Sequence, residues 1–487
     1  MMTISLAEPS RTACPAGPDL PLAVDLDGTL VRTDLLVEAL FVLIRRNPLF
    51  LAAMILWLLK GRAYVKKQVA SRVRLDAKVL PYHQELLSYL KGQRDLGRVL
   101  VLATGSDELA ARQVADHLRI FDEVFASDGT DNLSCRRKRD LLVARFGERR
   151  FDYAGCGRCD LLVWSSARGA VVVNATPGLR RRIGEVCEIR CSFAAAAGPL
   201  VAFLRALRPH QWLKNLLVFV PLLVGGPLEA GALARVFAAF LAFSLGASAL
   251  YLVNDLIDLP ADRRHPHKRE RPFASGLLSP LFGVIGSPVL VALAFLAGLL
   301  LPPAFLVFLA VYCVLNLAYS LRLKEIALLD VVLLAGLYTL RIMAGSAAIS
   351  IWPSSWLLSF STFLFVSLAL VKRYGELVTM GIVDGRGAHI RGYRDEDKEL
   401  LASMGTGSGY LAVLVLVIYI STGMAEIHYT RHYLVWLSCP VLFYWVSYVW
   451  LTAHRGKMFD DPLVFTLRDK VSRATIILAA ALVLLAR

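Results

Sequence analysis

From Trp212 onward, long apolar stretches alternate with short polar breaks, and no other feature constrains this chain as strongly. About 20 apolar residues suffice to cross a bilayer as a helix. Helices are expected because a backbone in lipid must satisfy its own hydrogen bonds. The pattern predicts nine spans, near residues 212–228, 232–253, 281–300, 303–321, 326–348, 354–371, 408–425, 432–452 and 472–486. Met1 to Arg205 holds no run of that length, although 56% of the 487 residues are hydrophobic and the mean hydropathy is +0.55. The apolar excess therefore belongs to the C-terminal part. Two solvents are implied, and so at least two domains.

The loops orient the spans. Basic residues gather after every even span: Arg263, Arg264, Lys268, Arg269 and Arg271; Arg322 and Lys324; Lys372, Arg373, Arg386, Arg391 and Arg394; Arg455, Lys457, Arg468, Lys470 and Arg473. The odd connections are short and nearly uncharged. Positive charge marks the cytoplasm, which predicts a multi-pass protein of the bacterial inner membrane with its N-terminal domain cytoplasmic. The same bias explains the net charge of +15, and no nucleic-acid partner is expected. Residues 1–20 lack a basic start and an apolar core, so a secretory signal is not expected there. Six of the eight cysteines precede Arg205, on the side where thiols should stay reduced.

Span 2 ends in Tyr251-Leu-Val-Asn254-Asp255-Leu-Ile-Asp258-Leu-Pro-Ala-Asp262. Spacings of three, four and seven put the three aspartates on one helical face, with Pro260 bending its end. Carboxylates gathered this way repel unless a cation sits among them. Mg²⁺ suits the place because it takes one or two carboxylates plus waters and substrate phosphates. His265, Lys268, Arg269 and Arg271 follow at once, as donors for phosphate oxygens. Tyr319 and Lys324 leave span 4, and Asp330 opens span 5. Arg341, eleven residues on, falls about 20° from three full turns and so shares a face with Asp330. Ionisable groups inside spans normally face a cavity and a partner. Lys214 precedes span 1 and is either an interfacial anchor or a phosphate donor. His265 and His267 lack further nearby ligands for zinc.

These residues resemble the UbiA superfamily of membrane prenyltransferases from Arg208 to the C-terminus, with the NDxxDxxxD signature at Asn254, Asp255, Asp258 and Asp262. RPHQWLKN, NDLIDLPADRRHPHKRERP, YSLRLKEIALLD and YTLRIMAG are similar to one branch, the decaprenyl-phosphate phosphoribosyltransferases. The DxxxD motif of quinone-pathway members is missing; Lys324 and Asp330 stand in that region. The resemblance implies 5-phosphoribosyl diphosphate (PRPP) as donor and a polyprenyl phosphate as acceptor. It implies catalytic Asp255 and Asp258, with Mg²⁺ on Asp255, Asp258, Asp262 and Asp330. Substrate phosphates would fall to Lys214, Asn254, Lys268, Arg271, Tyr319, Lys324 and Arg341. The rival reading is a UbiA-type enzyme using a prenyl diphosphate and an aromatic acceptor, beside a non-catalytic N-terminal domain. A homo-oligomer is left open.

The N-terminal part begins with a short apolar strand running into Asp25-Leu-Asp27-Gly28-Thr29. Arg98-Val-Leu-Val-Leu-Ala-Thr104-Gly105-Ser106, Lys138 and Phe151-Asp-Tyr-Ala-Gly155-Cys156-Gly-Arg-Cys159-Asp160 follow. Strands alternating with helical segments predict a parallel, Rossmann-like α/β sheet. The order resembles the haloacid dehalogenase (HAD) phosphohydrolases over Pro21 to Cys191. That resemblance implies Asp25 as nucleophile, Asp27 as general acid and base, Thr104 and Lys138 on the phosphoryl group, and Mg²⁺ on Asp25 and Asp160. Its fourth motif normally reads GDxxxD; here Cys156 replaces the first aspartate, and thiols are poor Mg²⁺ ligands. The apolar piece at 49–59 is either a helix on the membrane surface or a buried cap helix. The expected organisation is a disordered tail over 1–20, a HAD-like domain over 21–192, a linker over 193–206 and an all-α UbiA-like membrane domain over 207–487.

Overall fold

The computed structural model describes residues 20–487, apart from 48–49, 129–130, 195–197, 228, 266–267, 385–391 and 459–460. His267, Arg386 and Arg391 thus lie outside the described residues. The chain forms two compact units. One joins Met1–Ala206 to Asp255–Val284, and the other joins Leu207–Asn254 to Ile285–Arg487.

In the first unit, six strands form one parallel sheet: β1 (Leu22–Val24), β2 (Leu100–Asp107), β3 (Glu123–Ser127), β4 (Asp152–Gly155), β5 (Gly169–Val173) and β6 (Glu188–Phe193), in the order β3-β2-β1-β4-β5-β6. Its central strands are buried on both faces, as an all-parallel sheet covered by helices requires. Alternation divides them. Leu22, Val24, Leu100, Leu102, Val171 and Val173 enter one core, while Ala23, Ala103, Tyr153, Ala170 and Val172 enter the other. The strands therefore deliver the loops after β1, β2 and β4 to one end of the sheet, where such folds place their ligands.

Residues 50–70 form two helices, Phe50–Leu59 and Arg62–Ala70. The two expectations for 49–59 divide along the helix. Trp57 packs on the small core of Ala39, Leu43, Val65, Val69 and Val73, whereas Leu56 and Leu59 are 65% and 81% exposed. The expected linker is partly ordered, since Pro199–Ala206 is a helix.

In the C-terminal part, seven helices among the described residues are long and apolar enough to cross a membrane: Ala230–Ile257, Pro280–Gly298, Pro303–Leu321, Leu329–Ala348, Ser355–Thr379, Asp395–Ser421 and Tyr433–His454. On the first, Leu233, Phe237 and Leu241 are exposed one turn apart, while Ala232, Val236, Ala239 and Phe243 are buried. The expected count of nine is not reproduced. The first segment is a 3₁₀ stretch, Pro209–Phe219, followed by the short helix Val220–Val224, which ends at Gly225. Pro221 lacks the N–H that a continuous helix would use there. The last segment, Lys470–Ala486, has 17 residues.

Candidate functional site

Three groups of polar residues emerge, each built inside one unit. The first lies where β1, β2 and β4 end. Asp25 follows β1, and its Oδ1 accepts from Lys138 Nζ at 2.6 Å; Lys138 lies on the helix Arg136–Phe146. The Tyr153 hydroxyl accepts from Lys138 at 2.9 Å and donates to Asp160 Oδ1 at 2.8 Å. Asp160 Oδ2 accepts from the backbone N–H groups of Cys156 and Gly157 at 3.1 and 2.9 Å. Burial pulls the Lys138 ammonium down, but Asp25 and Asp160 outweigh it and hold the ammonium above its ordinary value.

Asp27 accepts from the Leu35 N–H at 2.9 Å and from the Ser106 hydroxyl. Burial, followed by the charge of Asp34, raises its carboxyl to about 7, a value suited to moving protons near neutrality. Thr104 is fully buried in β2, and its oxygen accepts from the Ser106 N–H at 3.0 Å. The five expected residues thus converge. Tyr153 and Ser106 were missed, since each reads in sequence as an ordinary strand residue. Gly28 has φ +75°, and a Cβ there would stand 2.9 Å from Cys156 Sγ. Cys156 is not paired with Cys159. A disulfide joins Cys159 to Cys135 instead, so the expectation of reduced thiols does not hold for those two.

The second group is the acidic stretch that ends the helix Ala230–Ile257 and runs through Leu259–Arg264. Asp255 and Asp262 are buried and share one guanidinium: Arg271 Nη1 donates at 3.2 Å to the first and 2.6 Å to the second. Asp258 is half-buried at the helix junction and does not close into a three-carboxylate cluster with them. Arg263, one residue beyond Asp262, makes a bidentate pair with buried Glu38, its Nη1 donating to Oε2 at 2.6 Å. Glu38 also accepts from Thr33. Lys268 opens the short 3₁₀ turn Lys268–Glu270.

The third group belongs to the membrane unit. Lys214 and Lys372 both donate to Asp461 Oδ2, at 2.8 and 3.0 Å, and the Tyr338 hydroxyl lies 3.3 Å from the same carboxylate. Burial would raise the Asp461 carboxyl, but the two ammoniums outweigh it and hold it well below the usual carboxylate range. Asp461 and Lys372 escaped the sequence reading: one resembles a helix cap before Pro462, the other a cytoplasmic marker. Arg341 is buried on neutral partners. Its Nε donates to Asn215 Oδ1 at 2.8 Å, and its Nη2 donates to the Tyr312 hydroxyl at 3.0 Å. Gly345 sits so close to Val218 that a Cβ would stand 2.0 Å from its carbonyl oxygen, which fixes the segment carrying Lys214 and Asn215 against the helix carrying Arg341.

Asp330 and Arg341, expected on one helical face, do not pair with each other. Asp330 binds Arg373 and accepts from the Tyr393 hydroxyl at 2.6 Å, and Tyr319 accepts from Arg373 at 2.8 Å. Both Asp330 oxygens are engaged there; a shared helical face does not select a partner when a neighbouring helix offers a nearer cation. Lys324 lies in the short 3₁₀ turn Leu323–Glu325. Leu213, Leu368 and Leu463, near Lys214, Lys372 and Asp461 in sequence, line an apolar cavity of about 460 Å³.

The two metal positions implied by resemblance differ in chemistry. Asp255 and Asp262 offer buried oxygen donors already bridged by a cation, which fits Mg²⁺. At the N-terminal site the ligand-bearing atoms of Asp25, Cys156 and Asp160 lie within 4.8 Å of one another, the only such group of three among the described residues. Its thiol does not fit Mg²⁺, which demands oxygen in near-octahedral geometry.

An apolar helical unit with cations gathered beside an apolar cavity defines a membrane transferase, joined to an α/β domain that carries an aspartate–lysine site. The sequence pattern of the UbiA prenyltransferase family matches residues 215–467, and the chain belongs to that family. An uncharacterized protein, y4nM, of Sinorhizobium fredii is 38% identical over 93% of this chain and 88% of its own length. Nodulation protein NoeC of Azorhizobium caulinodans is 37% identical over 60% of this chain and 95% of its own. Decaprenyl-phosphate phosphoribosyltransferase of Mycobacterium tuberculosis is 36% identical over 40% of this chain and 65% of its own.

Proposed function

We propose that the membrane domain transfers the 5-phosphoribosyl group of PRPP to a polyprenyl phosphate at the cytoplasmic face of the inner membrane. The observation that carries this reading is the pair of ammoniums, Lys214 and Lys372, held on one buried carboxylate beside an apolar cavity. A phosphate headgroup can take the place of that carboxylate while its isoprenoid tail fills the cavity. Arg341, buried on neutral partners, adds a guanidinium suited to a second phosphate. The loss of DxxxD disfavours an aromatic acceptor, and the relative from M. tuberculosis bears the name of the proposed activity. The basic loops support a cytoplasmic position for the N-terminal domain.

In this reaction the C1–O bond to the diphosphate breaks as an oxygen of the lipid phosphate bonds to C1, and diphosphate leaves. The acceptor is already an anion and needs no strong base. Mg²⁺, bound by Asp255 and Asp262 with Asp258 nearby, would supply charge stabilisation on the leaving diphosphate. Arg271 orients the two buried carboxylates, and Lys268 opens the short turn that follows them in sequence.

The N-terminal domain would then remove the 5-phosphate from the ribosyl lipid. Asp25 attacks phosphorus, Asp27 protonates the departing hydroxyl, and Asp27 later takes a proton from the water that cleaves the aspartyl phosphate. Lys138 and Thr104 hold the phosphoryl oxygens. Purified protein with ribose-labelled PRPP and polyprenyl phosphate tests the main reading. Label must pass into lipid and depend on the lipid phosphate. Consumption of a prenyl diphosphate with an aromatic acid instead would overturn it.

A further inference from the structure

The thiol at the N-terminal site departs from the oxygen donors that a phosphatase of this design uses, and the surrounding geometry gives it a use. Cys156 follows β4 directly, between Gly155 and the turn carrying Asp160. Two backbone N–H groups donate to Asp160 Oδ2, and the Tyr153 hydroxyl donates to Oδ1, which orients this carboxylate toward the site. Cys156 Sγ lies 3.7 Å from the Asp27 carbonyl oxygen. One sulfur, two carboxylates and one backbone carbonyl thus meet at the mouth of the sheet. The disulfide to Cys135 removes Cys159 from competition and leaves Cys156 as the free thiol of the cluster.

A tetrahedral ion with sulfur at about 2.3 Å and oxygen at about 2.0 Å holds its ligands on the order of 3.5 Å apart. Ligand atoms within 4.8 Å of one another reach that spacing by closing about 1.3 Å at most. We propose that the N-terminal site holds a thiophilic divalent ion of the Zn²⁺ or Co²⁺ type, bound by Cys156 Sγ and by one oxygen each of Asp25 and Asp160. Binding exchanges the thiol proton for the metal: the S–H bond breaks, the S–metal bond forms, and one proton enters solvent without change of oxidation state. Lys138 stays beside Asp25, so the two carboxylates and the thiolate carry a net charge matched by the ammonium and the divalent ion together. The proposal deepens the phosphatase reading of the same site, and its test is chosen so that either can fail alone.

Full-length protein in detergent, stripped with chelator, is titrated with Co²⁺ alone. One equivalent should produce a sulfur-to-cobalt charge-transfer band in the near ultraviolet. Zn²⁺ should abolish the band, and Mg²⁺ in 100-fold excess should leave it. The band should vanish in Cys156→Ser. The Cys156→Asp variant should lose the band and gain Mg²⁺ binding measured by calorimetry, which separates ligand exchange from misfolding. No band in folded wild-type protein, or an undiminished band in Cys156→Ser, overturns the proposal. A band without phosphate release leaves the ion site standing and removes the phosphatase reading; Mg²⁺-supported phosphate release without a band does the reverse.

Discussion

Replacing Asp461 with Asn isolates the charge that joins Lys214 to Lys372. The two ammoniums approach within 2.8 and 3.0 Å of one carboxylate oxygen, with side chains 11% and 24% exposed against 6% for Asp461. At an effective dielectric near 20 each pair has a gross attraction of about 6 kcal/mol, most of it offset by desolvation. Removing one partner of such a buried group costs about 3–5 kcal/mol, because the remaining charges stay buried. Asn keeps the volume, so cavity formation adds little. The variant should therefore unfold at lower temperature in detergent. Polyprenyl phosphate should restore more stability to the variant than to wild type, since its headgroup fills the vacated anion position. Ligand at 100 times its dissociation constant contributes about 2.7 kcal/mol. The pH dependence has a defined sign. The Asp461 carboxyl is depressed, so its contribution is present above the ordinary carboxylate range and is lost as pH falls below that range. Wild type should lose more stability than Asp461→Asn on acidification. Equal stability of the two proteins at neutral pH, or equal gain from lipid phosphate, would refute this account.

Glu38→Ala leaves Arg263 buried without its carboxylate and should cost about 3–5 kcal/mol in thermal unfolding of the full chain. The reciprocal exchange, Glu38→Arg with Arg263→Glu, should recover part of that loss, and a double-mutant cycle reads the coupling. Asp258→Asn should lower transfer by on the order of 10²-fold or more while leaving folding intact, and Asp255→Asn should lower it as far with some loss of thermal stability because it is buried and paired with Arg271, if metal-held leaving-group charge contributes several kcal/mol. Near-normal turnover at limiting Mg²⁺ would remove that role. Asp25→Asn should stop at the phosphoribosyl lipid and release no phosphate, whereas wild type accumulates the ribosyl lipid. Identical products by mass spectrometry would make the N-terminal domain non-catalytic. Tyr153→Phe removes a hydroxyl shared by Lys138 and Asp160 and should destabilise that domain by about 1–3 kcal/mol, measured by chemical unfolding.

The apolar period after Trp212, the basic loops and the strand-to-loop position of Asp25 were legible in the residues themselves. Each depends on local composition: lipid demands long apolar helices, and a buried parallel strand demands a short apolar run. The grouping of Asp25, Lys138 and Asp160 was implied by the family resemblance, and parallel strands that deliver their loops to one end of the sheet are what bring it about. Tertiary structure decided what depends on distance between segments far apart in sequence. Asp330 shares a helical face with Arg341 yet pairs with Arg373, 43 positions away, and Asp461 gathers lysines from 247 and 89 positions away. Periodicity states which way a side chain points but not which helix stands opposite. Charge likewise marks a loop without naming its partner. Burial then turns such meetings into strong pairs, since a charge withdrawn from water must find its opposite within the fold.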